Sequence, residues 1–319
     1  MNHDTGNSVA AKAQDAKGPR VSILMNDMDS SQFAAYGLRS WVLQRCSFDY
    51  EIILTLFNDK RGFFNAIAQD ALPNCTVKIV TCPRPAFFNI SIANNLGLVE
   101  STGKYVFFCN ADVVHSSFYL EETVSELQRL GLHYACGARM NLSKAFTQAE
   151  IREPSAYNRE QNFDYLVGRE WGRPEMHFWG NGSPWMLNRE TAWAIGGFDP
   201  ELVCYEERNL EDRAMHYLQR KNLQRSGYAF TSIYGYHLYH PRGDLYDIGA
   251  ESKRRVVDVR ARLFASHDET HETVASALND REAMLRLLYS MQPPPPVRKP
   301  SGLARLRRRI QNAAHALLE

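Results

Sequence analysis

Apolar residues come in short unbroken runs, separated by polar turns and by stretches with helical spacing. Val21 to Met25 follows a polar stretch and predicts a buried strand. Over 31–45, Phe33, Tyr36, Leu38, Trp41 and Val42 fall on one broad face, which predicts an amphipathic helix. Glu51 to Phe57 predicts a second buried strand, closed by the polar turn Asn58-Asp59-Lys60-Arg61-Gly62. Residues 63–71 predict a helix and Thr76 to Thr81 a third strand. Ile90 to Glu100 predicts a further helix, ended by Thr102-Gly103 in the manner of a glycine cap. Lys104 to Cys109 predicts a fourth strand.

Strand and helix alternating at this spacing argue for a parallel sheet with crossover helices, an α/β fold. Ligands of such sheets bind at the carboxyl ends of the strands. Three polar clusters fall there: Asn26-Asp27, Asn58-Asp59 and Asn110-Ala111-Asp112.

The second half is less regular. Residues 150–185 are rich in Arg, Glu, Asn, Trp and Gly without a clear period, as expected of long loops over a site. Gly196-Gly197-Phe198-Asp199-Pro200 reads as a turn, 209–221 as a helix and Tyr228 to Tyr236 as a strand. The expected organisation is a tail over 1–19, one domain over 20–250, a helical extension over 251–292, a stiff proline linker over 293–300 and a basic amphipathic helix over 301–319. Within the domain, the donor half is expected at about 20–112 and the acceptor half at about 113–250.

Composition changes this picture little. The chain of 319 residues is 44% hydrophobic and 23% charged, with a formal net charge of +1, so no global field favours nucleic acid. The six cysteines form no C-x-x-C pair, so reduced, buried thiols are expected rather than a disulfide frame or a zinc finger. The first twenty residues lack the apolar core of a secretory signal, and no run approaches the length of a membrane span. A cytoplasmic protein is expected, free or peripheral on the inner face of the membrane. The second placement comes from 298–319, where six basic residues precede any acid and Leu303, Leu306 and Ile310 recur at helical spacing. Packing of this tail on the domain or on a partner is the plainer alternative, and its lack of aromatic residues argues against nucleic acid.

Three motifs could carry chemistry. Asp112, at a strand's carboxyl end, can hold a divalent metal that neutralises a diphosphate, although an acid there is often only a turn or a helix cap. Glu211-Asp212 opens the expected helix over 209–221, where the helix dipole alone would favour acids, and could equally supply a general base. Tyr236-His237-Leu238-Tyr239-His240-Pro241-Arg242 could give metal ligands and a phosphate-facing Arg242. In an extended segment, residues three apart face opposite sides, so the two histidines need not share a ligand.

Taken together, the motifs resemble the GT-A glycosyltransferases, in particular the large family-2 group, over about residues 20–245. VSILMNDMD, the following helix and EIILTLFND resemble that family's first strand, helix and second strand. Ile92-Ala93-Asn94-Asn95-Leu96-Gly97 and Gly103 to Asp112 resemble the helix and strand leading into its D-x-D motif. Gly196 to Pro200 with Glu211-Asp212 resembles its GGFD…ED segment, which is also similar to the C-terminal modules of galactosyl- and N-acetylgalactosaminyltransferases.

The resemblance implies a GT-A fold, Rossmann-like with a mostly parallel central sheet flanked by helices, and a C-terminal helical extension. It implies a hexosyltransferase using Mn²⁺ or Mg²⁺ with a UDP-sugar donor, while the basic tail over 298–319 alone points to a glycan or lipid-linked oligosaccharide as acceptor. Asp112 and His237 would hold the metal, with His240 the alternative ligand. Asp27, Asn58 and Asp59 would lie near the nucleotide, and Asn94 and Asn95 would line the donor pocket or brace their helix. Trp179, Gly180 and Asn181 would sit near the donor sugar. Asp212 would be the base of an inverting displacement, with Glu211 binding the acceptor.

Two departures bear on the site. Asn110 and Ala111 precede Asp112, so Asn110 stands where the first acid of D-x-D is expected and metal affinity should fall. The second strand ends in Asn58-Asp59 rather than paired acids. Two other classes compete with a transferase. A sugar nucleotidyltransferase would need a glycine-rich, lysine-bearing loop after the first strand, where Met25-Asn26-Asp27-Met28-Asp29 stands. A non-catalytic binding relative is invited by Asn110 and opposed by Asp112, Glu211, Asp212 and His237.

Overall fold

The computed structural model describes residues 20–168, 176–179, 184–200, 202, 206–223, 226–229, 234–240 and 280–291, with 176–179 and 226–229 as backbone. The alternation read from the sequence gives β1 (Val21–Asp27), α1 (Ser31–Val42), β2 (Tyr50–Leu56), α2 (Arg61–Ala68), β3 (Cys75–Thr81), α3 (Ile90–Glu100) and β4 (Tyr105–Phe108). After these come β5 (Val113–Val114), α4 (Tyr119–Leu130), β6 (Tyr134–Gly137), β7 (Arg139–Leu142), α5 (Lys144–Glu150), β8 (Met176–Trp179), β9 (Trp185–Asn188) and α6 (Arg189–Ala194). The last are α7 (Glu206–Arg220), β10 (Ser226–Ala229), β11 (Gly235–His237) and α8 (Arg281–Ser290).

The main sheet runs β10-β6-β9-β4-β1-β2-β3. It is parallel except at β9, which lies antiparallel between β4 and β6. A second sheet, β5-β11-β7-β8, stands beside it. The expected strand over Tyr228–Tyr236 is therefore two short strands in different sheets.

Strand periodicity divides the core. Val21, Ile23 and Met25 join the cluster under α1 and α2, while Leu24 joins the cluster under α3, α6, α7 and α8. Because helices cover both faces, β1 and β2 are buried almost throughout without alternation, as in a doubly covered parallel sheet. Trp41, Phe64 and Phe107 are fully buried on the first side. Each such side chain contributes about 1.5–3 kcal/mol of transfer free energy.

Local chemistry sets the helix ends. The Asn89 side chain accepts from the Ile92 N–H at the start of α3. Gly131, at φ 61°, ends α4 with its N–H on the Gln128 carbonyl. Thr102-Gly103 does not end α3 as expected: Ser101 leaves the helix in an extended conformation. Gly103 serves packing instead, since a Cβ there would stand 2.6 Å from the Ser22 nitrogen. Within the expected extension over 251–292, α8 docks on the α3 side through Met284 and Leu288. The remainder of that extension, the tail over 1–19, the proline linker and the basic segment 301–319 lie outside the described residues. Among the described residues no helix is long and apolar enough to cross a membrane, and five cysteines are free thiols.

His115, just after β5, is enclosed between Trp41 (ring centroids 4.0 Å apart) and Tyr119 (4.4 Å). Neither ring nitrogen has a hydrogen-bond partner, and burial pushes its pKa down to about 3. Below pH 6.5 the unfolded chain takes a proton that the folded protein refuses, so this group removes stability as pH falls from 6.5 toward 3. The slope is about 1.4 kcal/mol per pH unit. Leu has nearly the same volume and needs no hydrogen bond. Denaturant titrations at pH 7, 6, 5 and 4 are expected to show His115→Leu gaining stability over wild type steadily as pH falls. Parallel pH profiles for the two proteins would refute the assignment.

Candidate metal centre

Three chain segments meet at the carboxyl edge of β4. After Phe108 the chain turns through Cys109 to Asp112 and enters β5. The Val113 N–H returns to the Asn110 carbonyl and holds the turn. β11 pairs with β5, His237 opposite Val113, and the Leu238 N–H donates to the Asp112 carbonyl at 3.0 Å. This register sets His237 beside Asp112. The chain then leaves the strand, so the opposite-face rule for residues three apart no longer holds. His240 comes round to the same carboxylate.

Both Nε2 atoms face one oxygen, Asp112 Oδ2: His237 at 3.2 Å and His240 at 2.8 Å. The ligand atoms of the three residues all lie within 4.8 Å of one another. Burial pushes the Asp112 carboxyl up, but the hydrogen bonds and charges of the two histidines outweigh it and hold the carboxyl well below the usual range. Asp112 Oδ1 is buried without a hydrogen-bond partner. One ionised carboxylate with a spare lone pair and two imidazoles fits a divalent ion. The side chains keep 21–30% of their surface, so an ion here would face solvent or substrate.

Helix α1 forms the floor of this turn. A Cβ at Gly37 would overlap the Ala111 carbonyl and press on the Met25 methyl. Phe33, one turn earlier, packs on His240 with centroids 5.3 Å apart.

The strand-end clusters are bound together mainly by their own polar groups. Asp27 is buried and accepts four hydrogen bonds, from the Ser30 N–H and hydroxyl, the Ser31 hydroxyl and Asn58 Nδ2, at 2.6–2.9 Å. It therefore shapes the β1–α1 turn and ties it to Asn58. Asp59 is exposed at the start of the β2–α2 turn. Asn94 accepts from Asn26 Nδ2 at 2.9 Å, which joins α3 to the end of β1. Asn95 is fully buried and exchanges two hydrogen bonds with the backbone of Phe198, so it braces α3 against the Gly196–Pro200 turn.

That turn is rigid for stated reasons. Gly196 and Gly197 have φ of 75° and 65°, and a Cβ on Gly197 would overlap Asn95 Oδ1. The buried Arg213 side chain of α7 donates to Asn209 Oδ1 at 2.8 Å, to the Ile195 carbonyl at 2.5 Å and to the Gly197 carbonyl. Burial lowers its pKa to about 10.

The expectation that Glu211-Asp212 opens a helix is corrected. α7 begins at Glu206, so Glu211 and Asp212 lie in its second turn, where Arg208 reaches Glu211 at 2.9 Å and Asp212 at 3.7 Å. The acids that open the helix are Glu206 and Glu207. Burial and then the Glu207 charge raise the Glu206 carboxyl well above its usual range. Sequence reasoning passed over this pair because it set the helix start at 209; a second adjacent acid pair in Glu206-Glu207-Arg208 was the available signal. Trp179 ends β8, paired with Arg139, while its side chain, Gly180, Asn181 and Arg242 lie outside the described residues.

The mostly parallel central sheet with helices on both faces is the GT-A fold. A family model described as glycosyl transferase family 2 matches residues 39–192, just under half of the chain. The match ends before the Gly196–Pro200 turn, so it does not reach the galactosyltransferase-like segment. No curated protein sequence matches the chain. Among solved structures, S. aureus TarS 1–349 in complex with UDP-GlcNAc is similar at 11% identity and TM-score 0.50, over 82% of this chain and 72% of that one. The mannosyltransferase PcManGT from Pyrobaculum calidifontis, in complex with GDP-Man and Mn²⁺, stands at 14% identity and TM-score 0.49, over 85% and 73%. At 11% identity the likeness to TarS speaks to the fold alone.

Proposed function

We propose that this chain moves a sugar from a UDP-sugar to a hydroxyl of a glycan or lipid-linked oligosaccharide, inverting the anomeric carbon. The observation that carries the reading is the meeting of Asp112, His237 and His240 at the carboxyl edge of the sheet. These residues would hold Mn²⁺ or Mg²⁺, which when bound neutralises charge on the departing diphosphate. The nucleotide is proposed to lie over the strand-end turns that Asp27, Asn58 and the Asn26–Asn94 bond keep in place. The exposed Asp59 carboxylate is available to a ribose hydroxyl. UDP is preferred because the TarS structure of the same fold holds UDP-GlcNAc.

Trp179, Gly180 and Asn181 would border the donor sugar, and Arg242 would meet phosphate oxygens. Asp212 would take the proton of the attacking hydroxyl, with Glu211 binding the acceptor. A single displacement by that hydroxyl inverts the carbon. The basic segment 298–319 would hold the enzyme on an anionic, inner membrane face, near a lipid-linked acceptor.

The test is thermal unfolding against a panel of nucleoside diphosphates and nucleotide sugars, with and without Mn²⁺. Ligand at 100 times its Kd adds about 2.7 kcal/mol to the folded state. A midpoint rise specific to uridine nucleotides supports the reading. No rise with any nucleotide would remove the donor site.

A further inference from the structure

We infer that the groove between α1, α2 and α5 is a saccharide subsite, which holds a neutral sugar unit of the acceptor away from the reacting hydroxyl. The inference rests on the reading of the acceptor as a glycan and adds where its chain lies. The groove has a volume of about 530 Å³ and opens between α1 and α2 on one side and α5 and the turn at 153–155 on the other. That size falls within the roughly 300–1,000 Å³ of ligand sites. One end adjoins the metal centre. Phe33, which packs on His240, and Leu238, whose N–H meets the Asp112 carbonyl, both line the groove.

The polar groups on its wall are only partly satisfied. Tyr36 and Arg39, three apart, stand on one face of α1 and both line the groove. Arg39 is 6% exposed; its Nη1 pairs with Asp70, while its Nε is buried with no hydrogen-bond partner. Asp70 therefore meets the charge of the guanidinium but not all of its donors. Among the described residues, neither the Tyr36 hydroxyl nor the Glu153 carboxylate has a hydrogen-bond partner. Burial and then the Glu153 charge push the Tyr36 hydroxyl up to about 12, so it remains a proton donor near neutral pH. Phe63 of α2 adds a ring that keeps 47% of its surface exposed.

These features select the class of ligand. Asp70 balances Arg39, and Glu153 adds a further negative charge, so the groove opposes phosphate and carboxylate groups. An alkyl or isoprenoid chain would strip water from Tyr36, Arg39 and Glu153 and return no hydrogen bond. A neutral pyranose has a C–H face for the Phe63 ring. Its hydroxyls offer oxygens to Tyr36 and Arg39 and protons to Glu153. An acceptor chain that starts at the metal centre and passes Phe33 would place its next units here.

The experiment uses the full chain after EDTA treatment and without donor, so neither metal nor nucleotide binding enters. Maltotetraose, cellotetraose, mannotetraose and chitotetraose are the probes, read by saturation-transfer NMR and calorimetry. At least one is expected to bind. Phe63→Ala is expected to weaken that binding about 10-fold, and Tyr36→Phe about 3- to 10-fold. Phe118→Ala, at an equally exposed ring outside this groove, is expected to change nothing, and circular dichroism checks that each variant folds. Binding of no tetrasaccharide overturns the inference. Binding that Phe63→Ala and Tyr36→Phe both leave unchanged also overturns it, because the sugar then sits elsewhere. Binding of 1-octanol in place of the sugars, lost in Phe63→Ala, would make the groove a lipid-chain site and overturns it as well. A melting shift with uridine nucleotides but no saccharide binding removes only this subsite. Saccharide binding without any nucleotide shift keeps the subsite and removes the donor site.

Discussion

Asp112→Asn is expected to leave the fold intact and to lower kcat/KM on the order of 10³-fold or more, about 4 kcal/mol of transition-state stabilisation. The substitution is nearly isosteric and keeps an oxygen that can accept from His237 and His240. What it removes is the one negative charge of the centre, which both Nε2 atoms face. An amide oxygen holds a divalent ion weakly, so the loss should appear in metal binding as well as in turnover. Steady-state kinetics with saturating Mn²⁺, a calorimetric Mn²⁺ titration of the EDTA-stripped protein and a melting curve separate these effects. Turnover within tenfold of wild type would show that the chemistry does not depend on this centre. A large fall in the melting temperature would instead make Asp112 a structural residue.

Arg213→Met is expected to cost about 3–5 kcal/mol of stability, as removal of one member of a buried polar network does. The side chain fills the space between α7 and the Gly196–Pro200 turn and donates to two backbone carbonyls and Asn209. Without it those acceptors stay buried, each at about 1–3 kcal/mol, against some relief from no longer enclosing a guanidinium. At roughly 2–4 °C per kcal/mol, the melting temperature should fall by roughly 6–20 °C. Arg213→Lys should recover only part of this, because one ammonium cannot reach three acceptors in the planar fork geometry. A fall below about 2 °C for Met would mean that water or other donors satisfy the turn.

The first half of the chain was legible because its pattern is redundant. Runs such as Val21 to Met25 and Glu51 to Phe57 are bounded by polar turns, and the intervening helices carry their own spacing. Even there, the ends slipped: β2 starts at Tyr50 and α2 at Arg61. The second half gave less because its elements are too short to show a period. β5 has two residues and β11 three, yet their pairing brings His237 to Asp112 across 125 positions. No local pattern encodes such a meeting. Direction was equally hidden at Trp185–Asn188, whose run gives no sign that it lies antiparallel between β4 and β6. His240 was visible as a residue type but not as a partner, since its convergence with His237 depends on where the strand stops.

Alanine is the routine replacement for a glycine inside a helix when a more robust protein is wanted, with a usual gain of about 1 kcal/mol. Position 37 reverses that rule. The added methyl group would push on the peptide that carries Asp112, and the displacement would be delivered to the centre's carboxylate. Helix and turn behave there as one machined part with no clearance. An engineer seeking durability in this enzyme would have to leave that joint alone and work elsewhere, for instance at Gly62, where the same addition meets nothing.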